Sequence, residues 1–166
     1  IAAMPAYNEE RSIAKMVLGC KKHVDCVVVV DDGSSDATAE IAEALGAHVV
    51  RHEKNGGYGA ALRSCFETAR EMDAEKMVII DSDGQHDASE IPKLLSPLNN
   101  GTDLVIGSRF CNGNGKNIPA YRSGHEGAGH CHQSGQRLVA ADSQSGKGAL
   151  RSESKRIVPQ LYKQWN

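Results

Sequence analysis

Asp81 and Asp83 are two carboxylates one residue apart, closing the apolar run Met77 to Ile80. Hard oxygen donors at that spacing can reach one cation and leave its other positions for phosphate oxygens, as Mg²⁺ prefers. A diphosphate leaving group needs such a cation, because its departure builds negative charge. Gln85 and Asp87 are near enough to complete or orient the shell, and His86 reads as a loop residue that supports it. The bare Asp-x-Asp pattern is common by chance; its flanks give it weight.

Two more polar clusters end apolar runs, Pro5-Ala6-Tyr7-Asn8-Glu9-Glu10 and Asp31-Asp32-Gly33-Ser34-Ser35-Asp36. Each alone has a plainer explanation, since Asn, Asp, Ser and Gly cap helices and make turns. Turns do not require so many carboxylates along one rim. In open α/β sheets ligands bind beyond the carboxyl ends of the strands, where all three clusters would lie.

Asn55-Gly56-Gly57-Tyr58-Gly59-Ala60-Ala61 looks superficially like a dinucleotide fingerprint, but it follows a polar loop and lacks the third glycine at the required place. Glycines that open a helix still let backbone amides approach a nucleotide. Arg109 and Arg122 are candidate phosphate clamps, with a solvated surface position as the plainer alternative. His125, His130, Cys131 and His132, with Cys111, hint at zinc, yet no pair has C-x-x-C or H-x-x-x-H spacing. A Gly-x-Ser-x-Gly nucleophile elbow and a P-loop are absent from the sequence.

The elements that must position these residues follow from the hydrophobic pattern. Short apolar runs alternate with amphipathic segments, as in parallel strands joined by crossover helices, so an α/β fold is expected. Expected strands are Ile1 to Ala6, Cys26 to Asp31, His48 to His52, Met77 to Asp81 and Leu104 to Gly107. A helix with Asn8 as N-cap and Glu9 and Glu10 in its first turn would bury Ile13, Met16, Val17 and Cys20. Helices are also expected over Asp36 to Leu45, with Ile41 and Leu45 inward, over Ala60 to Met72, and over Ser89 to Leu98, where Pro92 fits the first turn. From Asn112 to Gln136 the chain is dominated by Gly, Asn, Ser, His and Gln, which predicts a mobile loop. Patterning returns weakly at Arg137 to Ala141 and Ile157 to Trp165.

At 166 residues, with 40% hydrophobic and 24% charged residues, the chain suits one globular core. A formal charge of -2 and 4% aromatic residues argue against nucleic acid as a partner. The five cysteines are odd in number and irregularly spaced, which predicts reduced thiols. The longest apolar runs fall short of the roughly 18 to 20 residues that cross a bilayer. The opening Ile1-Ala2-Ala3-Met4-Pro5 carries no signal-peptide pattern and, lacking an initiator Met, suggests that the true N-terminus is missing.

In order, P-A-Y-N-E-E, V-D-D-G-S-S-D-A-T, N-G-G-Y-G-A-A, D-S-D-G-Q-H-D, G-S-R-F, I-P-x-Y-R and D-S-Q-S-G resemble the family-2 glycosyltransferases of GT-A fold. The likeness is nearest to the polyprenyl-phosphate (dolichyl-phosphate) mannosyl- and glucosyltransferases, dense from Ile1 to Arg122 and again from Asp142 to Gly146. It implies a Rossmann-like, mostly parallel sheet flanked by helices. A nucleotide-sugar part would span residues 1–110, and an irregular, partly disordered acceptor side residues 111–166. Ala6, Tyr7, Glu9, Asp32 and Asn55 would help hold the nucleotide, with Asp81, Asp83 and Gln85 holding Mg²⁺ or Mn²⁺ against its diphosphate. Arg109 and Arg122 would engage phosphate groups, and Asp142 would stand near the acceptor.

The implied reaction moves mannose or glucose, with inversion, from a donor such as GDP-mannose or UDP-glucose to a polyprenyl phosphate at the cytoplasmic face of a membrane, met through peripheral contact. An ionised phosphate needs positioning more than deprotonation; a hydroxyl acceptor would need a base, for which Asp142 is the candidate. Gly146-Lys147-Gly148-Ala149-Leu150 departs from the family's G-F-R-A continuation, and the Gly- and His-rich stretch before Asp142 replaces an amphipathic helix. A non-catalytic sugar-nucleotide binder is therefore an alternative. A nucleotidyltransferase is a weaker one, since Pro5 to Glu10 lacks its glycine-rich loop.

Overall fold

The computed structural model describes residues 1–100, 102–108 and 137–142. Six strands form one sheet: β1 (Ala2–Ala6), β2 (Val27–Asp31), β3 (His48–Arg51), β4 (Lys76–Ile79), β5 (Leu104–Ser108) and β6 (Arg137–Asp142). Helices α1 (Ile13–Cys20), α2 (Thr38–Ala44), α3 (Tyr58–Glu71) and α4 (Ile91–Leu98) connect them, with a 3₁₀ turn at Ala88–Glu90 leading into α4. The strand order is β3-β2-β1-β4-β6-β5. β1 pairs in parallel with both β2 and β4, and β2 with β3. β6 runs antiparallel to β4 and β5, between them. The order turns back on itself between β1 and β4, which opens a crevice at their carboxyl ends.

β1 and β2 are buried along their whole length, the signature of a sheet covered on both faces. Alternation assigns each side chain to a layer. Val27 and Val29 join Met4, Ile13, Met16, Val17, Ile80, Ile91 and Leu98 in one core layer, beneath α1 and α4. Val28 and Val30 join Ala61, Leu62, Cys65, Phe66 and Ala69 of α3, with Met77 and Ile79, in the other. Each Val, Leu, Ile, Met or Phe among them contributes roughly 1.5–3 kcal/mol on burial. That holds the strand ends rigid beneath the polar rim.

Several local expectations are corrected. α1 begins at Ile13, not after Asn8, because Asn8 takes a positive φ of 56° and turns the chain across the rim instead of capping a helix. α2 begins at Thr38; Asp36 stands before it and accepts from the Thr38 amide at 3.0 Å. Its fully buried residues are Thr38, Ala39 and Ala42, while Ile41 and Leu45 are only partly covered. The expected helix from Ser89 is a 3₁₀ turn followed by α4, with Asp87 accepting from Ser89 N at 2.9 Å and Pro92 in the first turn of α4. The weak pattern from Arg137 is a strand. Asn112 to Gln136 and Ile157 to Trp165 lie outside the described residues.

Candidate functional site

The three rim clusters are stitched into one surface. At the crevice, Ser82 is buried and donates from Oγ to the Pro5 carbonyl at 2.7 Å, and Asp32 N donates to Ala6 O at 2.8 Å. Asn8 ties the first cluster to the second: its N–H donates to Ser34 Oγ at 2.9 Å, and its Oδ1 accepts from Ser35 N at 2.9 Å. Glu9 N donates to Thr38 Oγ1 at 2.7 Å, and Glu10 N to Asp36 Oδ2 at 3.1 Å. The Glu9 carboxylate accepts from Ser12 Oγ at 2.7 Å, so it faces back toward the start of α1. Ala6 is buried, and Tyr7 beside it is 49% exposed over the rim.

Asp32 is buried and works inward. Its Oδ1 accepts from Gly56 N at 3.0 Å and its Oδ2 from Gly57 N at 2.7 Å. His52 Nδ1 lies 2.6 Å from Oδ1, and His52 Nε2 lies 2.8 Å from Ser64 Oγ. Burial alone would push this carboxyl up, but the Gly56 amide, His52 and the Gly57 amide outweigh it and hold the pKa below the ordinary value. Of the glycine amides in this loop, those of Gly56 and Gly57 are thus taken by Asp32. Asn55 stays exposed, its Oδ1 accepting from Gly57 N at 3.0 Å. The loop fits because Gly33, at φ 73°, leaves room: a Cβ there would meet Asn55 N and Lys54 C at 2.8 Å.

Asp81 lies two residues past the end of β4 and is partly buried, as is Asp83. Asp81 N donates to His86 Nδ1 at 3.0 Å, and His86 Nε2 is 3.9 Å from Asp81 Oδ2. His86 is buried, as suits a residue that supports the carboxylate. Tyr58, from the start of α3, donates to Asp81 Oδ1 at 3.4 Å. Gly84, at φ 77°, turns the chain so that Gln85 N donates to Asp83 Oδ1 at 2.9 Å, and Lys15 Nζ holds the Gly84 carbonyl at 3.2 Å.

Among the described residues, no group of three or more His, Cys, Asp and Glu side chains gathers to hold a metal. A pair of carboxylates with a nearby amide is a different donor set. It fits a hard divalent cation that takes its remaining oxygens from water and phosphate, and it does not fit an all-protein cage.

Ala6, Tyr7, Glu9, Asp32, Asn55, Asp81, Asp83 and Gln85 are therefore all placed along the carboxyl rim or in the loops that meet it. Asp142 is not brought to them: its backbone pairs with Lys76, at the opposite end of β4 from Asp81. Arg109 and Arg122 lie outside the described residues, as do Cys111, His125, His130, Cys131, His132 and the stretch 146–150. Sequence reasoning missed Ser82, His52, Ser64 and Tyr58. Ser82 and Tyr58 sit inside the D-S-D-G-Q-H-D and N-G-G-Y-G-A-A motifs, but nothing local marks His52, which meets Asp32 through the parallel crossover, or Ser64, which meets His52.

A family model described as "Glycosyl transferase family 2" matches residues 2–153. The UDP-N-acetylglucosamine–dolichyl-phosphate N-acetylglucosaminyltransferase of Methanococcus voltae is 32% identical across 97% of this chain and 71% of its own. The dolichol-phosphate mannosyltransferase of Pyrococcus furiosus is 35% identical across 72% of this chain and 36% of its own. Among solved structures, glucosyl-3-phosphoglycerate synthase from Mycobacterium tuberculosis, in complex with Mn²⁺, UDP and glucosyl-3-phosphoglycerate, superposes with a TM-score of 0.53 at 31% identity. That match covers 62% of this chain and 41% of the synthase.

Proposed function

The chain belongs to glycosyl transferase family 2 and is a glycosyltransferase; from that premise we propose that it transfers a hexosyl group from a nucleotide-diphosphate sugar to a polyprenyl phosphate, with inversion and with the help of a divalent metal. The carrying observation is the Asp81 and Asp83 pair beyond β4, beside the crevice that β1 and β4 open. Asp81, Asp83 and Gln85 would hold Mg²⁺ or Mn²⁺, which when bound neutralises charge developing on the departing diphosphate. Relatives named as dolichyl- and dolichol-phosphate transferases support the lipid phosphate as acceptor.

This chain's own residues have separate tasks in that reaction. His86 and Tyr58 hold the Asp81 carboxylate by its backbone and by Oδ1. Tyr7 and Asn55, both exposed at the rim, are available to the nucleotide, with Asp32 and Glu9 fixing the loops that carry them. Arg109 and Arg122 are assigned to phosphate groups. An ionised acceptor phosphate attacks without a base, so Asp142 has no proton to remove.

No helix among the described residues is long and apolar enough to cross a membrane. In this reading the protein meets its lipid as a peripheral partner at the cytoplasmic face.

A second reading, transfer to a hydroxyl acceptor, is favoured by the likeness to glucosyl-3-phosphoglycerate synthase. One assay separates the two: radiolabelled GDP-mannose, UDP-glucose or UDP-N-acetylglucosamine offered with a short-chain polyprenyl phosphate, the matching polyprenol, simple sugars and 3-phosphoglycerate. Label in the polyprenyl phosphate alone is the expected result. Label in 3-phosphoglycerate or a sugar, with none in the phosphate, overturns the lipid acceptor and leaves the glycosyltransferase intact.

A further inference from the structure

The loop from Asn55 to Tyr58 reaches the rim from the end of β3, and its amides are held by one carboxylate whose other partner is a histidine. Asp32 accepts from Gly56 N at 3.0 Å and Gly57 N at 2.7 Å. Its pKa is held below the ordinary carboxylate value, so at neutral pH it is an acceptor on every side. The 2.6 Å contact with His52 Nδ1 therefore requires the proton on Nδ1. In the neutral ring Nε2 is then an acceptor, and Ser64 Oγ, 2.8 Å away, is the group that donates to it. The direction of the bonds from His52, Gly56 and Gly57 to Asp32 is thereby settled by the acceptor at their centre.

This series joins three elements. Asp32 follows β2, His52 follows β3, and Ser64 lies two turns inside α3. The start of α3 is held from below by Asp32 and its body by His52. Between those two points sits Tyr58, whose hydroxyl donates to Asp81 Oδ1 at 3.4 Å. Asp32 also fills the place that an anionic ligand would take at the amides before α3, which leaves the Asn55 and Tyr58 side chains as what the loop presents outward.

We propose that His52 is a positioning residue for donor binding: held by Ser64, it fixes Asp32, and through Asp32 the loop that brings Asn55 and Tyr58 to the rim beside Asp81. The inference rests on the donor site proposed above. His52 touches no reacting atom in this role, so its loss acts on the binding of the nucleotide diphosphate. A loosened loop must be ordered when the donor arrives, which weakens affinity, while the groups at the reacting centre are unchanged once it is in place.

The test compares wild type, His52→Ala, His52→Asn and Ser64→Ala. Three quantities are read: hydrogen exchange of the Gly56 and Gly57 amides in the free protein, calorimetric affinity for UDP and GDP with Mn²⁺, and KM against kcat for the donor that is turned over. In His52→Ala both amides should exchange faster, and affinity should fall about tenfold, the scale of one lost charge-assisted hydrogen bond, with KM rising and kcat nearly constant. His52→Asn, whose amide can donate to Asp32 from the place of Nδ1, should recover most of both effects. Ser64→Ala should shift both in the same direction by less, and it decides the matter if His52→Ala does not fold. Unchanged exchange and affinity in folded His52→Ala, a fall in kcat at constant KM, or no recovery in His52→Asn overturns the proposal. Wild type that binds neither nucleotide overturns the donor site itself, and this inference with it.

Discussion

Ser82 reaches across the crevice between β4 and β1 and donates to the carbonyl of Pro5 at 2.7 Å. It stands between Asp81 and Asp83, so the residue that separates the two carboxylates also anchors their loop to the neighbouring strand end. Ser82→Ala should leave that carbonyl without its donor in a buried place and destabilise the fold by about 1–3 kcal/mol. Urea unfolding measures this, and stability equal to wild type would mean that the bond holds nothing.

Gly33 is the point where the loop after β2 meets the loop after β3. A Cβ would lie 2.8 Å from Asn55 N and from Lys54 C, and the φ of 73° disfavours any side chain. Gly33→Ala should cost at least about 1–3 kcal/mol in backbone strain and push the Asn55 loop away from Asp32. Thermal unfolding reads the first effect, and chemical-shift changes at Gly56 and Gly57 the second. A variant as stable as wild type, with those shifts in place, contradicts the packing.

The depressed pKa of Asp32 gives a pH dependence of known sign. Its contribution to stability is complete above the ordinary carboxylate range and is lost as pH falls through the folded-state value. Asp32→Asn sets an amide against the Gly56 and Gly57 donors, so it should be less stable than wild type at pH 7. The difference should narrow as pH falls below about 4. Denaturant melts of both proteins across pH 3 to 7 check it, and a gap independent of pH would contradict it.

Burial pushes the Cys65 thiol up to about 12 and the Cys20 thiol up to about 11. Neither should be a thiolate at pH 8, and both are shielded within the core. Alkylation of the folded protein, mapped by mass spectrometry, should mark the partly exposed Cys26 well before either. Equal labelling of Cys65 and Cys26 would mean that α3 does not pack on the sheet as described.

Much of the frame was legible because it is local. The Val27 to Val30 run, closed by Asp31 and Asp32, reads as a buried parallel strand from composition alone, and Ala61, Leu62, Cys65, Phe66 and Ala69 trace the inner face of α3 from spacing alone. The position of Asp81 and Asp83 at the rim was legible because both follow an apolar strand run, one residue apart. What escaped depends on residues far apart in the chain. Asn8 looks like a helix cap until its partners Ser34 and Ser35 are known. The hold of Asp32 on the loop after β3 cannot be read locally, because His52 and the Gly56 and Gly57 amides arrive from beyond β3. β6 enters between β4 and β5, and its pairing is set by strands whose sequence lies elsewhere.

The central claim is that donor binding runs through a divalent metal held by Asp81 and Asp83. The most direct measurement is calorimetric titration of UDP-glucose and GDP-mannose into wild type and Asp83→Ala, each with and without Mn²⁺, with circular dichroism to confirm that the variant is folded. Wild type should bind one of these donors more tightly when Mn²⁺ is present, and folded Asp83→Ala should lose that gain. An Mn²⁺-dependent affinity that is unchanged in folded Asp83→Ala would contradict the account.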